Sequence, residues 1–262
     1  MTPVSGQRQG VLAFYRQGLR LLSDASIPYL VGGSYALDRY IGIERDPKDL
    51  DLFVRPQDSS AVFQTFAAAG YETRLSFAHW LGKVFWADHF IDLIFNSGNG
   101  LCAVDDAWFD HAVEAEVLGI SVRLCPPEET IWQKAFIAER ERYDGADVAH
   151  MLRAYGATLA WPRLLRRFDR HWRVLMSHIV LFGYIYPAER RQIPEWVMTY
   201  FMKRLQDETR STPHSSRVCQ GTVLSRSQYL VDIMQWDYED ARLRPGGPLS
   251  SEEIAHWSAG VD

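Results

Sequence analysis

The sequence predicts a mixed α/β (α+β) protein in which a mixed sheet flanked by helices fills residues 1–125 and a helical domain fills residues 126–262. Three observations predict it. Short apolar runs with strand-like alternation recur as far as residue 124. A strand, a glycine pair and a helix follow one another between Tyr29 and Tyr40. After Pro126-Pro127 the alternation stops and helical periodicity takes over, which places the domain boundary there.

In chain order, residues 7–23 carry apolar side chains at helical spacing and Pro28 limits the helix. Tyr29-Leu30-Val31 is a strand that ends on Gly32-Gly33, and Ser34 opens a helix through Leu37 and Tyr40. Residues 50–54 form the next strand, and Asp58 starts a helix that runs to Gly70. Strands follow at residues 71–75, 83–86 and 90–95, and a hairpin around Gly119 joins residues 116–118 to 121–124. Beyond the proline pair, helices are expected at residues 128–142, 146–155, 162–173, 175–186 and 194–205, then at 225–236 and after Ser250. Residues 206–221 are polar and loop-like.

Composition excludes several classes. A 47% hydrophobic content over 262 residues supports a globular core. The formal charge of −5 opposes long-range gathering of nucleic acid, so any such contact must be local. The three cysteines, Cys102, Cys125 and Cys219, are far apart and include no Cys-x-x-Cys, which argues against a disulfide framework or a zinc site. The longest apolar stretch, around residues 179–186, cannot cross about 30 Å of hydrocarbon, and the N-terminus has no signal-peptide layout. A soluble, cytoplasmic protein without a membrane partner is expected.

The chemistry concentrates in three places. Asp49 and Asp51 lie two apart on a strand and so face the same side, where their charges repel. Asp92 sits within the apolar run Phe90-Ile91-Asp92-Leu93-Ile94-Phe95, where an ionised carboxylate needs a partner or a metal ion. A hard divalent cation, Mg²⁺ or Mn²⁺, compensates such a group, because it prefers oxygen ligands and is held by a few carboxylates plus substrate phosphates. Gly32 and Gly33 let backbone N–H groups approach a phosphate, the following helix start favours an anion, and Ser34 adds a hydroxyl. Lys48 and Arg45 stand just before the acidic pair, where they either touch phosphate or only solvate a loop.

Leu30-Val31-Gly32-Gly33-Ser34-Tyr35-Ala36-Leu37, followed by Lys48-Asp49-Leu50-Asp51-Leu52-Phe53-Val54 and later Ile91-Asp92-Leu93, resembles the signature of DNA polymerase beta-like nucleotidyltransferases. The resemblance implies the minimal nucleotidyltransferase sheet as the fold and an NTP as substrate. It implies that Gly33 and Ser34 hold the triphosphate, that Asp49 and Asp51 bind two metal ions, and that Asp92 binds one and helps activate the attacking hydroxyl. A second stretch, Lys134 and then residues 139–148, is similar to the abortive-infection-toxin branch. There Lys134 is implied to contact phosphate and Asp147 to order the site, both facing the cleft of Asp49 and Asp51. Tyr143 stands where that branch has a basic residue, which leaves Asp144 without an assigned role.

Arg163, Arg166, Arg167, Arg170 and Arg173 form a basic stripe opposite Leu164, Leu165, Phe168 and Trp172; a solvated face is expected over an RNA site. His171 and His178 lack zinc-spaced companions and are expected to be structural. The expected reaction is in-line attack by an acceptor hydroxyl on the α-phosphate of an NTP, with release of pyrophosphate. The acceptor is a small molecule, a protein or a transfer RNA. The alternatives are a nucleotide-binding or partner-binding module without turnover, and a toxin restrained by an antitoxin partner.

Overall fold

The alternation of apolar and polar side chains in the first half is used to build one seven-stranded sheet. The structure is a computed structural model that describes residues 3–43, 49–211 and 217–259, with residues 3–7 described by their backbone alone. The chain divides into two compact units, Met1–Pro126 and Pro127–Asp262.

In the first unit the elements are α1 (Pro3–Asp24), β1 (Leu30–Val31), α2 (Gly33–Ile41), β2 (Leu50–Phe53), α3 (Ser59–Ala68), β3 (Glu72–Phe77), β4 (Leu81–Trp86), β5 (His89–Ile94), α4 (Asp106–Asp110), β6 (Val113–Val117) and β7 (Ile120–Leu124). β2 runs parallel to β5 and β1 parallel to β7, while the other neighbours are antiparallel. Leu50, Leu52, Val84, Ile91 and Leu93 point to one face and are buried. α1 and α3 pack on that side, where Phe14 stacks on Trp86 with ring centroids 5.9 Å apart. On the opposite face Phe53 stacks on the fully buried Trp108 of α4 at 5.4 Å. The β6–β7 turn uses Leu118 and Gly119, both at positive φ (54° and 76°), the twist that a two-residue hairpin turn requires. Helix α4 carries no periodic signal in the sequence because it is only five residues long.

The second unit contains α5 (Pro127–Ala135), α6 (Gly145–Tyr155), α7 (Trp161–Phe168), α8 (Trp172–Ile185), α9 (Glu195–Arg210), α10 (Leu230–Met234) and α11 (Ser251–Ala259), with a small two-stranded sheet of β8 (Val218–Cys219) and β9 (Glu239–Asp240). Several boundaries differ from the sequence expectation. The helix expected over residues 128–142 stops at Ala135. Beyond it the backbone of Ala138 bridges Tyr143, and the Glu139 carboxylate accepts from Ser225 Oγ and the Arg226 amide, so this stretch forms a tied loop. The helix expected over 162–173 breaks at Asp169, whose φ of 38° lies outside the helical region, and resumes at Trp172. α9 extends through Arg210 into a stretch expected to be loop, and the helix expected over 225–236 is confined to α10.

The arginine stripe is not a uniformly solvated face. Arg163 bonds the buried Glu128 and pairs with Glu129 at 3.2 Å, and Arg167 donates to Glu129 at 3.0 Å. Glu129 is fully buried, and burial raises its carboxyl above the ordinary range despite both arginines. Arg173 pairs with Glu208 at 2.7 Å, and Arg170 donates to the Gly246 carbonyl. Arg166 alone of the five remains an exposed cation without a partner among the described residues.

His178 is buried on α8 with its ring Nε2 2.9 Å from the Ala135 carbonyl, and burial lowers its pKa. His171 meets Phe136 edge-on at 5.5 Å, and burial, with Arg170 beside it, pushes its pKa down from 6.5 to about 4. A folded pKa below the unfolded one means that the fold holds the ring neutral. Its stability contribution is therefore complete above pH 6.5 and is lost as pH falls towards 4. Denaturant titrations at steps between these pH values should show the wild type losing stability more steeply than His171→Gln; equal slopes would contradict the burial effect.

Candidate active site

Strand register assembles the acidic cluster. In the parallel pair β2·β5, Asp51 stands opposite Asp92, so their side chains project from the same face, and Asp49 shares that face two residues before Asp51. A ligand oxygen from each of the three aspartates lies within 4.8 Å of the others, a group able to hold a metal ion. All three are half-buried. Oxygen donors alone, clustered at this spacing, suit a hard divalent cation, and no nitrogen or sulfur ligand joins them among the described residues. The expected convergence of Asp49, Asp51 and Asp92 is thus present in the geometry.

The glycine turn is built against the same carboxylates. Gly32 donates its N–H to the Asp51 carbonyl at 3.0 Å, fixing the turn to β2. A Cβ on Gly32 would come within 2.2 Å of the Phe53 ring. A Cβ on Gly33 would come within 1.6 Å of Asp51 Oδ2, and its φ is +54°. Both glycines are required by their neighbours before any ligand is considered. Helix α2 begins at Gly33, so its first turn starts beside Asp51. Lys48, together with Arg45, lies outside the described residues.

Two neighbours of the triad carry no signature in a residue-by-residue reading. Lys83 on β4 is registered opposite Asp92, and its ammonium lies 2.5 Å from Asp92 Oδ1 and 3.6 Å from the centre of the Phe90 ring. The two-residue turn Ala87-Asp88 pairs Trp86 with His89, and counting back along the hairpin from that pair leads from Asp92 to Lys83. Tyr15 of α1 is fully buried, and burial raises its phenol pKa, with Tyr35 and all three aspartates adding to the rise. Nothing in the periodicity of α1 distinguishes that tyrosine from a core residue.

In the second unit the Lys134 ammonium lies 2.8 Å from both Asp144 and Asp147, and all three side chains are about nine-tenths buried. Arg142 also bonds Asp144. Burial alone would raise the Asp144 carboxyl, but Arg142 and Lys134 outweigh it and hold the pKa below the ordinary range. Asp144 therefore has a structural partner, which the sequence left unassigned. Lys134→Ala should lower the melting temperature, because it removes the cation shared by two buried carboxylates.

The comparisons agree with this geometry. The family model of aminoglycoside-2''-adenylyltransferase matches residues 16–118, which span the glycine turn and all three aspartates. Fold, acidic cluster and family match together support one class of protein, a nucleotidyltransferase enzyme. Among solved structures, the chain is similar to the solution structure of the antibiotic-resistance factor ANT(2'')-Ia, with 16% identity, a TM-score of 0.45 and coverage of 64% of this chain and 95% of that one. It is also similar to the lincosamide antibiotic adenylyltransferase LnuA bound to lincomycin, with 15% identity, a TM-score of 0.39 and coverage of 53% and 94%. No curated protein matches the chain. No described helix is long and apolar enough to cross a membrane.

Gly33→Ala tests the turn. A left-handed non-glycine residue costs about 1–2 kcal/mol, and the new methyl must also displace the Asp51 carboxylate. The variant should melt several degrees lower and bind Mn²⁺ about tenfold or more weakly by electron paramagnetic resonance. Unchanged Mn²⁺ binding would separate the turn from the metal site.

Proposed function

We propose that the chain transfers a nucleoside monophosphate from an NTP to an acceptor hydroxyl and releases pyrophosphate, with Asp49, Asp51 and Asp92 as its catalytic and metal-binding residues. The observation that carries this reading is the convergence of three carboxylates beside a glycine turn and a helix N-terminus. The likeness of residues 16–118 to an adenylyltransferase family favours ATP as the NTP.

Asp49 and Asp51 would hold the divalent ions, and Asp92 would share one of them. Bound Mg²⁺ supplies charge neutralisation of the triphosphate and orientation of nucleophile and leaving group. The amides opening α2 and the Ser34 hydroxyl bind the β- and γ-phosphates, which steers the α-phosphate over the acidic pair. Asp92 accepts the proton of the attacking hydroxyl as the new phosphoester bond forms and the α–β phosphoanhydride bond breaks; pyrophosphate leaves with the electron pair of that bond. Lys134 and Asp147 already neutralise one another within the second unit, which supports a structural role for that pair over direct phosphate binding. A cytoplasmic setting fits such a reaction, since its nucleotide substrate is found there.

Asp51→Asn and Asp92→Asn should each reduce pyrophosphate release from ATP by about a hundredfold or more, with the melting temperature preserved or raised in Asp51→Asn as like-charge repulsion is relieved and lowered in Asp92→Asn, which leaves Lys83 without its carboxylate. A pyrophosphate assay with a metabolite extract as acceptor source, with and without EDTA, checks both parts. Full activity of either variant, or activity resistant to EDTA, would overturn the assignment.

A further inference from the structure

We infer that the acceptor is an anionic hydroxyl compound, bearing a phosphate near the attacking hydroxyl, and that Lys83 and Arg74 select it. This inference rests on the nucleotidyltransferase reading above and concerns the acceptor half of the same site.

The sheet order separates two sides of the acidic pair. Along β3-β4-β5-β2-β1, the glycine turn and the start of α2 lie beyond β1, on one side of Asp49 and Asp51. Asp92 on β5 lies on the other side, followed by β4 and then β3. A triphosphate anchored at α2 with its α-phosphate over β2 therefore leaves the acceptor to approach over β5, β4 and β3. The register identifies what that part of the face presents. Asp92 is opposite Lys83, and Lys83 is opposite Arg74, so the three project from the same side. Phe90 and Phe85 form the next facing pair on that side, at 6.4 Å with their rings edge to face. Lys83 rests on Phe90 at 3.6 Å and the Arg74 guanidinium on Phe85 at 4.8 Å. The acceptor side is thus a strip of two cations held on two aromatic rings, with Glu72, registered opposite Phe85, at its outer edge.

Charge decides what such a strip accepts. Lys83 already compensates Asp92, so the carboxylate that would face the acceptor offers little free negative charge to a cation. Arg74 is 63% exposed, and its ion pair is with Glu72, itself 66% exposed. An exposed pair of this kind is weak and readily exchanged for a phosphate, which an arginine fork binds by two parallel charge-assisted hydrogen bonds. Strands are spaced about 4.8 Å apart, so β3 stands about 10 Å from β5. That span suits one substrate that places a hydroxyl at Asp92 and a phosphate at Arg74. A polycationic amino sugar, such as the tobramycin unit of the ANT(2'')-Ia product complex, would meet Lys83 and Arg74 with like charge.

The test loads the full chain with saturating Mg²⁺ and a non-hydrolysable ATP analogue, then measures acceptor binding calorimetrically. Uridine monophosphate, uridine, a short RNA with a free 3′ hydroxyl and tobramycin are the probes. Uridine monophosphate or the RNA should bind about tenfold or more tightly than uridine, and tobramycin should bind more weakly than either phosphate-bearing probe. Preference for the monophosphate points to a free phosphorylated acceptor, and preference for the oligonucleotide points to an RNA end. Arg74→Glu should remove the preference over uridine while the affinity for the Mg²⁺-loaded analogue stays within about twofold; Arg74→Lys should restore part of it. Tobramycin binding as tightly as the phosphate probes, no binding of either phosphate probe, or an unaltered preference in Arg74→Glu would overturn the inference. Failure of the analogue itself to bind would instead overturn the nucleotidyltransferase reading.

Discussion

Three carboxylates held within 4.8 Å of one another are the constraint around which the first unit is arranged. Each ionised pair repels its neighbours, and the cost grows as the cluster is removed from water. The surrounding structure meets that cost in stages. Lys83 is pinned to Asp92 by the hairpin register, and the Gly32 N–H fixes the Asp51 backbone. On the opposite face of the same strands Leu50, Leu52, Ile91 and Leu93 are buried and supply the packing that holds the aspartates in place. Turning any of these strands over would exchange carboxylates for leucines on both faces. The site and the core are thus alternate residues of the same backbone.

The second unit handles buried charge differently. Glu128 and Glu129 with Arg163 and Arg167, and Asp144 and Asp147 with Lys134 and Arg142, are sets in which two anions meet two cations. Such sets contribute little net stability but penalise the loss of one partner heavily. They fix how α5, α6 and α7 meet, because each set joins residues from two of these elements or from the loop that precedes α6. The contrast separates the roles: internally balanced charge in the helical unit, and an excess of carboxylates at the sheet.

Much of this was legible in the sequence, and what was not has a physical reason. Two-residue periodicity placed Asp49 and Asp51 on one face and identified Asp92 as a charge in an apolar strand, because each of those signals is local. The helical repeat similarly located α6, α8 and α9. The pairing of Lys83 with Asp92 was within reach only by following the hairpin turn back along both strands, and the flanking Phe85 and Phe90 look like ordinary core residues in one dimension. The partners of Arg163 and Arg167 lie more than thirty positions away. A stripe of arginines looks solvated until those distant glutamates are placed beneath it. The breaks at Ala135 and Asp169 depend on tertiary hydrogen bonds and one unusual backbone angle, neither of which periodicity can register.

The short hairpin of β4 and β5 also bears on the order in which the chain assembles. Lys83 and Asp92 are nine residues apart, whereas Asp51 reaches Asp92 across 41. Closing a short loop is entropically easier and faster than closing a long one. Closure of the hairpin ahead of the long-range docking of β2 matches the Asp92 carboxylate to an ammonium before Asp51 arrives, which lowers the repulsion between the two. Lys83 acts in this sense as an internal chaperone of the acidic cluster. It lets the chain complete a like-charged centre before any metal ion is available to do so.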